Sequence, residues 1–237
     1  MKPFIRTGLI WSAIAFILSG GIALYTWNAL PSTGDIPVHW GLNGQPDQFA
    51  PKAEAWPYIA LMPGVVLLIG LLLAVVPMLD PRKGNIETGR KAYLATWIGT
   101  LILMTLIHGG ICAAMLQASG EASLPNDAVR YVIAGCAALM IVIGNYLPKT
   151  RSSFMFGVRT PWTLSSDIAW EKTHRVAGPL FMLAGALGMA GAFLFNGIWL
   201  ALQLTALVGA AAIVSVVYSY FAWKNAGDRD DGTGLTV

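Results

Sequence analysis

Charged residues are scarce in this chain, at 11% of its 237 residues, against about 25% in ordinary soluble proteins. Hydrophobic residues make up 56%, so water is not the main solvent of the folded chain. Segments of alternating polarity are also lacking, since stretches such as 65–76 and 101–107 are apolar at every position. This excludes a transmembrane β-barrel. The formal net charge of +3 does not indicate a nucleic-acid partner.

Residues that usually carry catalysis or bind metals are equally few, with three histidines and two cysteines. The sequence contains no glycine-rich phosphate loop, no His-Glu-x-x-His motif and no cysteine pair at metal-ligand spacing. Cys112 and Cys136 fall within long apolar runs, where we interpret them as small buried residues rather than a disulfide. We therefore predict no catalytic residue set and no cofactor, and we favour a protein that is not an enzyme.

What the chain does contain is a series of apolar runs, each long enough to cross about 30 Å of hydrocarbon as a helix. The six runs are Thr7–Leu30, Ala55–Leu79, Tyr93–Gln117, Val129–Leu147, Val176–Phe195 and Ile198–Trp223. A helix satisfies its own backbone hydrogen bonds, which lipid cannot do. We therefore predict an all-α polytopic membrane protein with six transmembrane helices in one antiparallel bundle.

The distribution of basic residues predicts the orientation of these helices. If the N-terminus is cytoplasmic, every lysine and arginine except Lys52 and Arg130 lies on the cytoplasmic side, where such residues are normally retained. We therefore predict that both ends face the cytoplasm. We divide the chain into an N-terminal two-helix unit (1–90), a four-helix region (91–227) and a tail (228–237) that we expect to be disordered.

The first long loop, residues 31–54, lies outside the cell in this orientation. Its many proline and glycine residues restrict or permit unusual backbone angles, so we expect it to be ordered. The candidate ligand-binding residues on this side are His39, Trp40, Asp47, Lys52 and His108, the last of them within the third span. His39, Asp47 and His108 are also candidate metal ligands. The alternatives are a loop-stabilising hydrogen bond for His39 and an interhelical hydrogen bond for His108.

The second long loop, residues 148–175, is cytoplasmic in this orientation and mixes basic with aromatic residues. The candidate residues for binding lipid or a cytoplasmic partner are Asn145, Lys149, Arg151, Arg159, Trp162, Trp170, Glu171, His174 and Arg175. Basic side chains near a membrane attract anionic head groups. Topology alone also explains these charges, because cytoplasmic loops are rich in lysine and arginine.

The end of this loop shows helical spacing. Ser165 or Ser166 is expected to cap a helix that runs without a break into the fifth span. On that helix Trp170 and His174 are four residues apart and share one face, and Glu171 reaches Arg175 in the same way.

Three stretches in and around the second long loop resemble the signature of the SdpI-like immunity protein family. They are Gly144-Asn-Tyr-Leu-Pro-Lys-Thr-Arg, Phe156-Gly-Val-Arg-Thr-Pro-Trp-Thr-Leu-Ser, and Trp170 to Gly178 with Thr173-His174-Arg175. The first long loop, with Ile36-Pro-x-His-Trp, Gly44-x-Pro-Asp47 and Lys52, is similar to a domain of unknown function that often precedes the SdpI region. The chain departs from the family pattern at Ser152-Ser153, where asparagine often follows the Thr-Arg pair.

This resemblance implies a bacterial cytoplasmic-membrane protein that protects a toxin producer from its own secreted peptide toxin. One relative also holds a transcriptional repressor at the membrane. We therefore expect membrane lipids, a secreted peptide toxin outside and a cytoplasmic regulator inside as partners, and no nucleic acid. The alternative is a small transporter or an intramembrane metal-dependent enzyme, motivated by His108 within a span. The absence of Asp, Glu, Lys and Arg from the centres of the spans favours the first hypothesis.

Overall fold

The computed structural model describes residues 1–41, 45–117 and 126–228. The helices are α1 (Pro3–Ala29), α2 (Lys52–Leu79), α3 (Lys83–Thr88), α4 (Arg90–Gln117), α5 (Asn126–Tyr146), α6 (Pro161–Leu164), α7 (Asp167–Leu194) and α8 (Ile198–Lys224), with a 3-10 turn at Leu147–Lys149. Strands β1 (Asp35–Trp40) and β2 (Pro46–Pro51) lie between α1 and α2. Within the described residues, six helices are long and apolar enough to cross a membrane. The protein is therefore an all-α polytopic membrane protein, as predicted.

The fifth span differs most from its predicted bounds. Its apolar run begins at Val176, but α7 already begins at Asp167. The extension exists because Ser166 Oγ accepts a hydrogen bond of 2.9 Å from the Ala169 N–H and so caps the helix. The predicted cap and the unbroken helix are confirmed.

The chain forms two compact units. Unit 1 comprises residues 1–74, 98–135 and 192–202, and unit 2 comprises 75–97, 136–191 and the chain from 203 onward. The sequence-based division at residue 90 stays a prediction. Of the predicted disordered tail, Asp228 belongs to the described residues, whereas 229–237 lie outside them, as does Gly44 of the first-loop motif.

Small residues allow close helix packing in unit 1. The buried face of α1 contains Gly8, Ser12, Ala15 and Ser19 at helical spacing. A Cβ atom at Gly70 would lie 2.6 Å from Ser12 Oγ, so α2 approaches α1 more closely than any larger residue permits.

Unit 2 has an even closer helix crossing. A Cβ atom at Gly144 on α5 would lie 2.7 Å from the Gly178 carbonyl oxygen on α7, and a Cβ at Gly178 would lie 2.6 Å from the Pro148 ring. At Gly185 the obstruction would be the Ala137 carbonyl oxygen, at 2.6 Å. These glycines therefore place the backbones of α5 and α7 in direct contact, which fixes both ends of the second long loop.

Candidate functional site

The first long loop forms a β-hairpin on an apolar base. β1 and β2 pair antiparallel, with Ile36 opposite Ala50. Three consecutive residues of β1, Ile36, Pro37 and Val38, are buried together with Ala50 of β2, and the pairing is irregular between Pro37 and Trp40. The shared core consists of Ala23, Leu30, Ile36, Val38, Ala50, Ala55, Ile59, Cys112 and Met115. Apolar burial therefore holds the hairpin in place.

Two titratable residues meet on the exposed side of this hairpin. His39 Nδ1 lies 2.6 Å from Asp47 Oδ1, and their side chains are 62% and 51% exposed. The pair therefore makes the loop-stabilising hydrogen bond that sequence reasoning offered as the alternative to a metal site. Within residues 1–41, 45–117 and 126–228, no three or more His, Cys, Asp or Glu side chains are grouped to hold a metal ion.

Lys52 and Trp40 anchor the hairpin rather than project from it. Lys52 Nζ donates a hydrogen bond of 2.5 Å to the Leu30 carbonyl oxygen at the end of α1, and lies 5.6 Å from the centre of a Trp27 ring. Trp40 is half-buried against the apolar base. Of the four candidate residues on this loop, His39 and Asp47 present exposed polar groups.

His108 lies on α4 and is 1% exposed. Its imidazole has the Ile59 backbone on α2 as a hydrogen-bonding neighbour, although among the described residues neither ring nitrogen meets full hydrogen-bond geometry. This contact is of the interhelical kind that sequence reasoning offered for His108. The hydroxyl of Ser19 on α1 has no hydrogen-bond partner among the described residues, and a buried polar group in that state costs about 1–3 kcal/mol.

The second long loop is held by a buried carboxylate that the sequence analysis did not single out. Asp80, at the end of α2, has no exposed surface. Its Oδ2 accepts hydrogen bonds from Ser153 Oγ at 2.5 Å and from the Phe154 and Met155 N–H groups at 3.1 and 3.3 Å. Its Oδ1 accepts one from the Arg82 N–H at 2.7 Å. Asp80 therefore determines the path of the loop backbone at 153–155.

Two neighbours of Asp80 extend this network. The Arg82 guanidinium donates to Ser152 Oγ and, at 2.7 Å, to the Leu164 carbonyl oxygen. Asn85 Nδ2 donates to the Ser152 carbonyl oxygen at 2.7 Å. The Ser152-Ser153 pair, where the chain departs from the family pattern, is thus hydrogen-bonded to Asp80, Arg82 and Asn85.

A second anchor lies on α7. His174 has no exposed surface and Trp170 is 2% exposed, and the two rings stack with their centres 4.1 Å apart. His174 Nε2 accepts a hydrogen bond of 2.9 Å from the Val158 N–H, and Nδ1 lies 2.8 Å from the Trp170 carbonyl oxygen. Because Nε2 accepts, Nδ1 carries the proton and the imidazole is neutral. The predicted shared face is confirmed, and it is buried.

Gly157 fits against these two rings. Its φ is +115°, and a Cβ atom there would lie 2.6 Å from His174 Nε2 and 2.8 Å from the Trp170 ring. The indole Nε1 also donates to the Thr150 carbonyl oxygen at 3.3 Å. Trp170 and His174 therefore position the loop from inside and do not form part of its surface.

The remaining candidates lie on this loop or on the helices that flank it. Trp162 is half-buried against Tyr220, with ring centres 5.3 Å apart, and Glu171 pairs with Arg175 at 2.5 Å as predicted. Phe154 and Met155 are 39% and 38% exposed. The exposed polar candidates, which we call the basic rim, are Asn145, Lys149, Arg151, Arg159, Glu171 and Arg175.

Residues 149–219 match the family model described as the SdpI/YfhL protein family. We call this matched stretch, residues 149–219, the SdpI/YfhL segment. Residues 14–67 match a domain of unknown function, DUF1648. Over 215 residues the chain is 24% identical to Immunity protein SdpI of Bacillus subtilis (strain 168), covering 91% of this chain and 95% of that relative. No solved structure matches the chain significantly. The predicted family resemblance is confirmed.

Three residues whose side chains hold the SdpI/YfhL segment in place lie outside that segment. Asp80, Arg82 and Asn85 lie between the two matched regions. The signal for them is an Asp-Pro-Arg sequence directly after an apolar span, which by itself indicates only a polar boundary. Nothing local in the sequence shows that the carboxylate folds inward onto a loop more than seventy residues away.

The SdpI/YfhL segment is also tied to the end of the chain. Asp228 accepts hydrogen bonds from Ser166 Oγ at 2.5 Å and from the Ile168 N–H at 3.1 Å. A carboxylate at a helix N-terminus is stabilised by the exposed N–H groups. Partial burial opposes ionisation, but these hydrogen bonds outweigh it and lower the pKa of Asp228.

Proposed function

We propose that this chain is an immunity protein of the bacterial cytoplasmic membrane that protects cells from a secreted peptide toxin. The similarity to Immunity protein SdpI carries this proposal, because it extends over 91% of the chain and 95% of the relative. The alignment is therefore long enough to include both long loops and not only the SdpI/YfhL segment.

In this proposal the hairpin is the surface that meets the toxin. The distribution of lysine and arginine supports its position outside the cell. Its apolar base is buried, whereas His39, Asp47 and Phe49 are exposed, so a partner reaches polar and aromatic groups on a fixed support. Recognition on a supported loop requires little ordering of the receptor, which favours affinity.

The second long loop is proposed as the cytoplasmic surface. The loop exposes the basic rim together with the Phe154 and Met155 side chains, and Arg159 donates a hydrogen bond of 2.6 Å to the Phe154 carbonyl oxygen. Basic and apolar groups on one loop suit anionic lipid head groups or a cytoplasmic regulator. Support comes from the network around Asp80 and His174, because a loop fixed from inside presents these groups in one arrangement.

Complementation tests the proposal. The chain, with a fluorescent protein fused after Val237, is expressed in a B. subtilis strain that lacks SdpI, and growth is measured across a dilution series of the secreted toxin. We expect protection that rises with the membrane level of the fusion, and fluorescence consistent with a cytoplasmic C-terminus. Full membrane expression without protection against this toxin contradicts the proposed function, and the wild-type relative serves as the positive control.

Substitutions in the hairpin test whether it is the surface that meets the toxin. His39→Ala and Asp47→Ala break the same hydrogen bond, so an effect that arises only from loop order is equal in the two variants and is not additive in the double variant. If His39 contacts the toxin, His39→Ala and Trp40→Ala lower the tolerated dose more than Asp47→Ala does. Equal protection by all these variants and the wild type excludes recognition through the hairpin.

A further inference from the structure

Three residues on one face of α4 carry donor atoms that bind soft metal ions. His108, Cys112 and Met115 are 1%, 2% and 3% exposed, and their spacing of four and three residues places them side by side along the helix. We propose that they bind one monovalent copper ion, Cu(I), through an imidazole nitrogen, a thiolate and a thioether sulfur. The proposal is independent of the immunity function.

The packing of unit 1 brings these three side chains to one place. Cys112, Met115 and Ile59 of α2 belong to the same buried core, and the Ile59 backbone is also the hydrogen-bonding neighbour of the His108 ring. Side chains three or four positions apart on a helix have Cβ atoms about 5–6 Å apart. Two ligands at a spacing of four residues on one helix share a metal ion in zinc proteases. The three donors therefore lie within reach of one ion.

His108 retains a nitrogen that can bind such an ion. Neither ring nitrogen meets full hydrogen-bond geometry among the described residues, and the Ile59 backbone engages at most one of them. Pro63 lacks the N–H that normally binds the carbonyl four residues earlier, so the Ile59 carbonyl oxygen is available to the ring. A neutral imidazole that donates one N–H keeps a lone pair on its other nitrogen. Histidines that bind metals are commonly oriented by a backbone carbonyl in this way.

Charge and ligand softness select Cu(I) over a divalent ion. Cys112 releases its thiol proton to water as the copper–sulfur bond forms, so the thiolate and Cu(I) together are neutral. Zn²⁺ with one thiolate keeps a positive charge, which is costly inside a membrane-spanning bundle. Among the described residues, no three or more His, Cys, Asp or Glu side chains are grouped to hold a metal ion, whereas Cu(I) accepts the thioether of methionine. The Thr26 hydroxyl is a hydrogen-bonding neighbour of the Cys112 sulfur and supports the thiolate.

Helix α5 provides an internal contrast. Cys136 and Met140 are also four residues apart, and both are half-buried, but α5 contains no histidine. Two sulfur donors without an unused imidazole nitrogen offer Cu(I) fewer ligands than α4 does. We therefore assign one ion per chain, to α4.

Anaerobic titration of the full chain in detergent with Cu(I), against a coloured Cu(I) chelator as competitor, tests the assignment. We expect one tightly bound ion per chain and an ultraviolet thiolate-to-copper charge-transfer band, and an excess of Zn²⁺ should not displace the ion. Cys112→Ala is expected to abolish the band. His108→Leu should weaken binding by at least about tenfold, because even loss of a group that only orients a ligand costs that much. Cys136→Ala is the matched control and should retain both the band and the affinity.

X-ray absorption by the copper-loaded wild type gives a readout that does not depend on the folding of any variant. We expect both nitrogen and sulfur neighbours around the copper, and sulfur neighbours alone exclude His108 as a ligand. If Cys136→Ala loses copper as fully as Cys112→Ala does, the assignment to α4 is wrong. Equal affinities of His108→Leu and the wild type, or a wild type that does not compete with the chelator, also overturn the proposal.

Discussion

The two long loops both contain histidine and tryptophan, yet they are held by opposite means. The hairpin rests on an apolar base and directs its titratable pair, His39 and Asp47, toward the surface. The second loop is bound from inside by the buried side chains of Asp80 and His174, whereas Phe154, Met155 and the basic rim are exposed. The comparison teaches that a titratable residue can support a membrane-protein loop from inside or lie on its surface, and that burial distinguishes the two roles.

Asp80 is the main buried support of the second loop, so its replacement is expected to have the largest effect. Asp80→Leu removes the acceptor of four donors, of which the Met155 N–H keeps a bond to Ser153 Oγ, so we expect a loss of about 3–5 kcal/mol in unfolding free energy. The measurement is thermal unfolding in detergent, together with trypsin cleavage at Arg151 and Arg159, which should become fast. Asp167→Asn is the control, because that carboxylate is 81% exposed and 3.8 Å from Arg82. Equal stability of the two variants contradicts the buried support.

Glycine substitutions compare the loops directly, because each loop has a glycine in the left-handed region. Gly157→Ala adds a clash with His174 and Trp170 to the strain of φ +115°, so we expect a loss of about 2–4 kcal/mol. Gly34→Ala, at φ +92° with no neighbour within 4 Å, should lose about 1–2 kcal/mol from strain alone. Thermal unfolding of both variants in one detergent gives the difference, and equal losses exclude packing of the second loop onto α7.

Replacing His108 tests whether unit 1 also contains a buried polar group that stabilises its fold. His108 is buried, and its contact with the Ile59 backbone falls short of full hydrogen-bond geometry among the described residues, so His108→Leu should raise the unfolding free energy by about 1 kcal/mol. Differential scanning fluorimetry measures the shift. A marked loss of stability means that the hydrogen bond to Ile59 is fully formed, and then unit 1 also has a buried polar support. Cys112→Ala, one turn further along α4, controls for packing changes.

The smallest expected effect concerns the end of the chain. The lowered pKa of Asp228 means that its ionised form stabilises the N-terminus of α7 near neutral pH, and that this contribution is lost as the pH falls through that pKa. Asp228→Asn should therefore lose less than about 1 kcal/mol at pH 7 and nothing at low pH. Unfolding curves of the variant and the wild type at both pH values check this. A stability difference that does not change with pH argues against stabilisation by the ionised carboxylate.

Sequence reasoning predicted the six spans because each apolar run exceeds the thickness of the hydrocarbon. It missed the hairpin, whose prolines at 37, 46 and 51 disfavour strands and interrupt the alternation that identifies them. It predicted that Trp170 and His174 share a face of one helix, but helical spacing alone does not show whether that face is buried. Asp80 was missed because its partners lie far along the chain, and the orientation of the protein remains a prediction from its basic residues.

The network around Asp80 also imposes an order on biosynthesis. Asp80 leaves the ribosome 73 residues ahead of Ser153, and Arg82 leaves 82 residues ahead of Leu164. Until translation reaches those partners, the charged end of α2 keeps its solvation shell, because an ion without partners is not buried. Assembly of this region is therefore completed late, and a nascent chain arrested within α5 differs from the finished protein by an unburied acidic group at the membrane boundary.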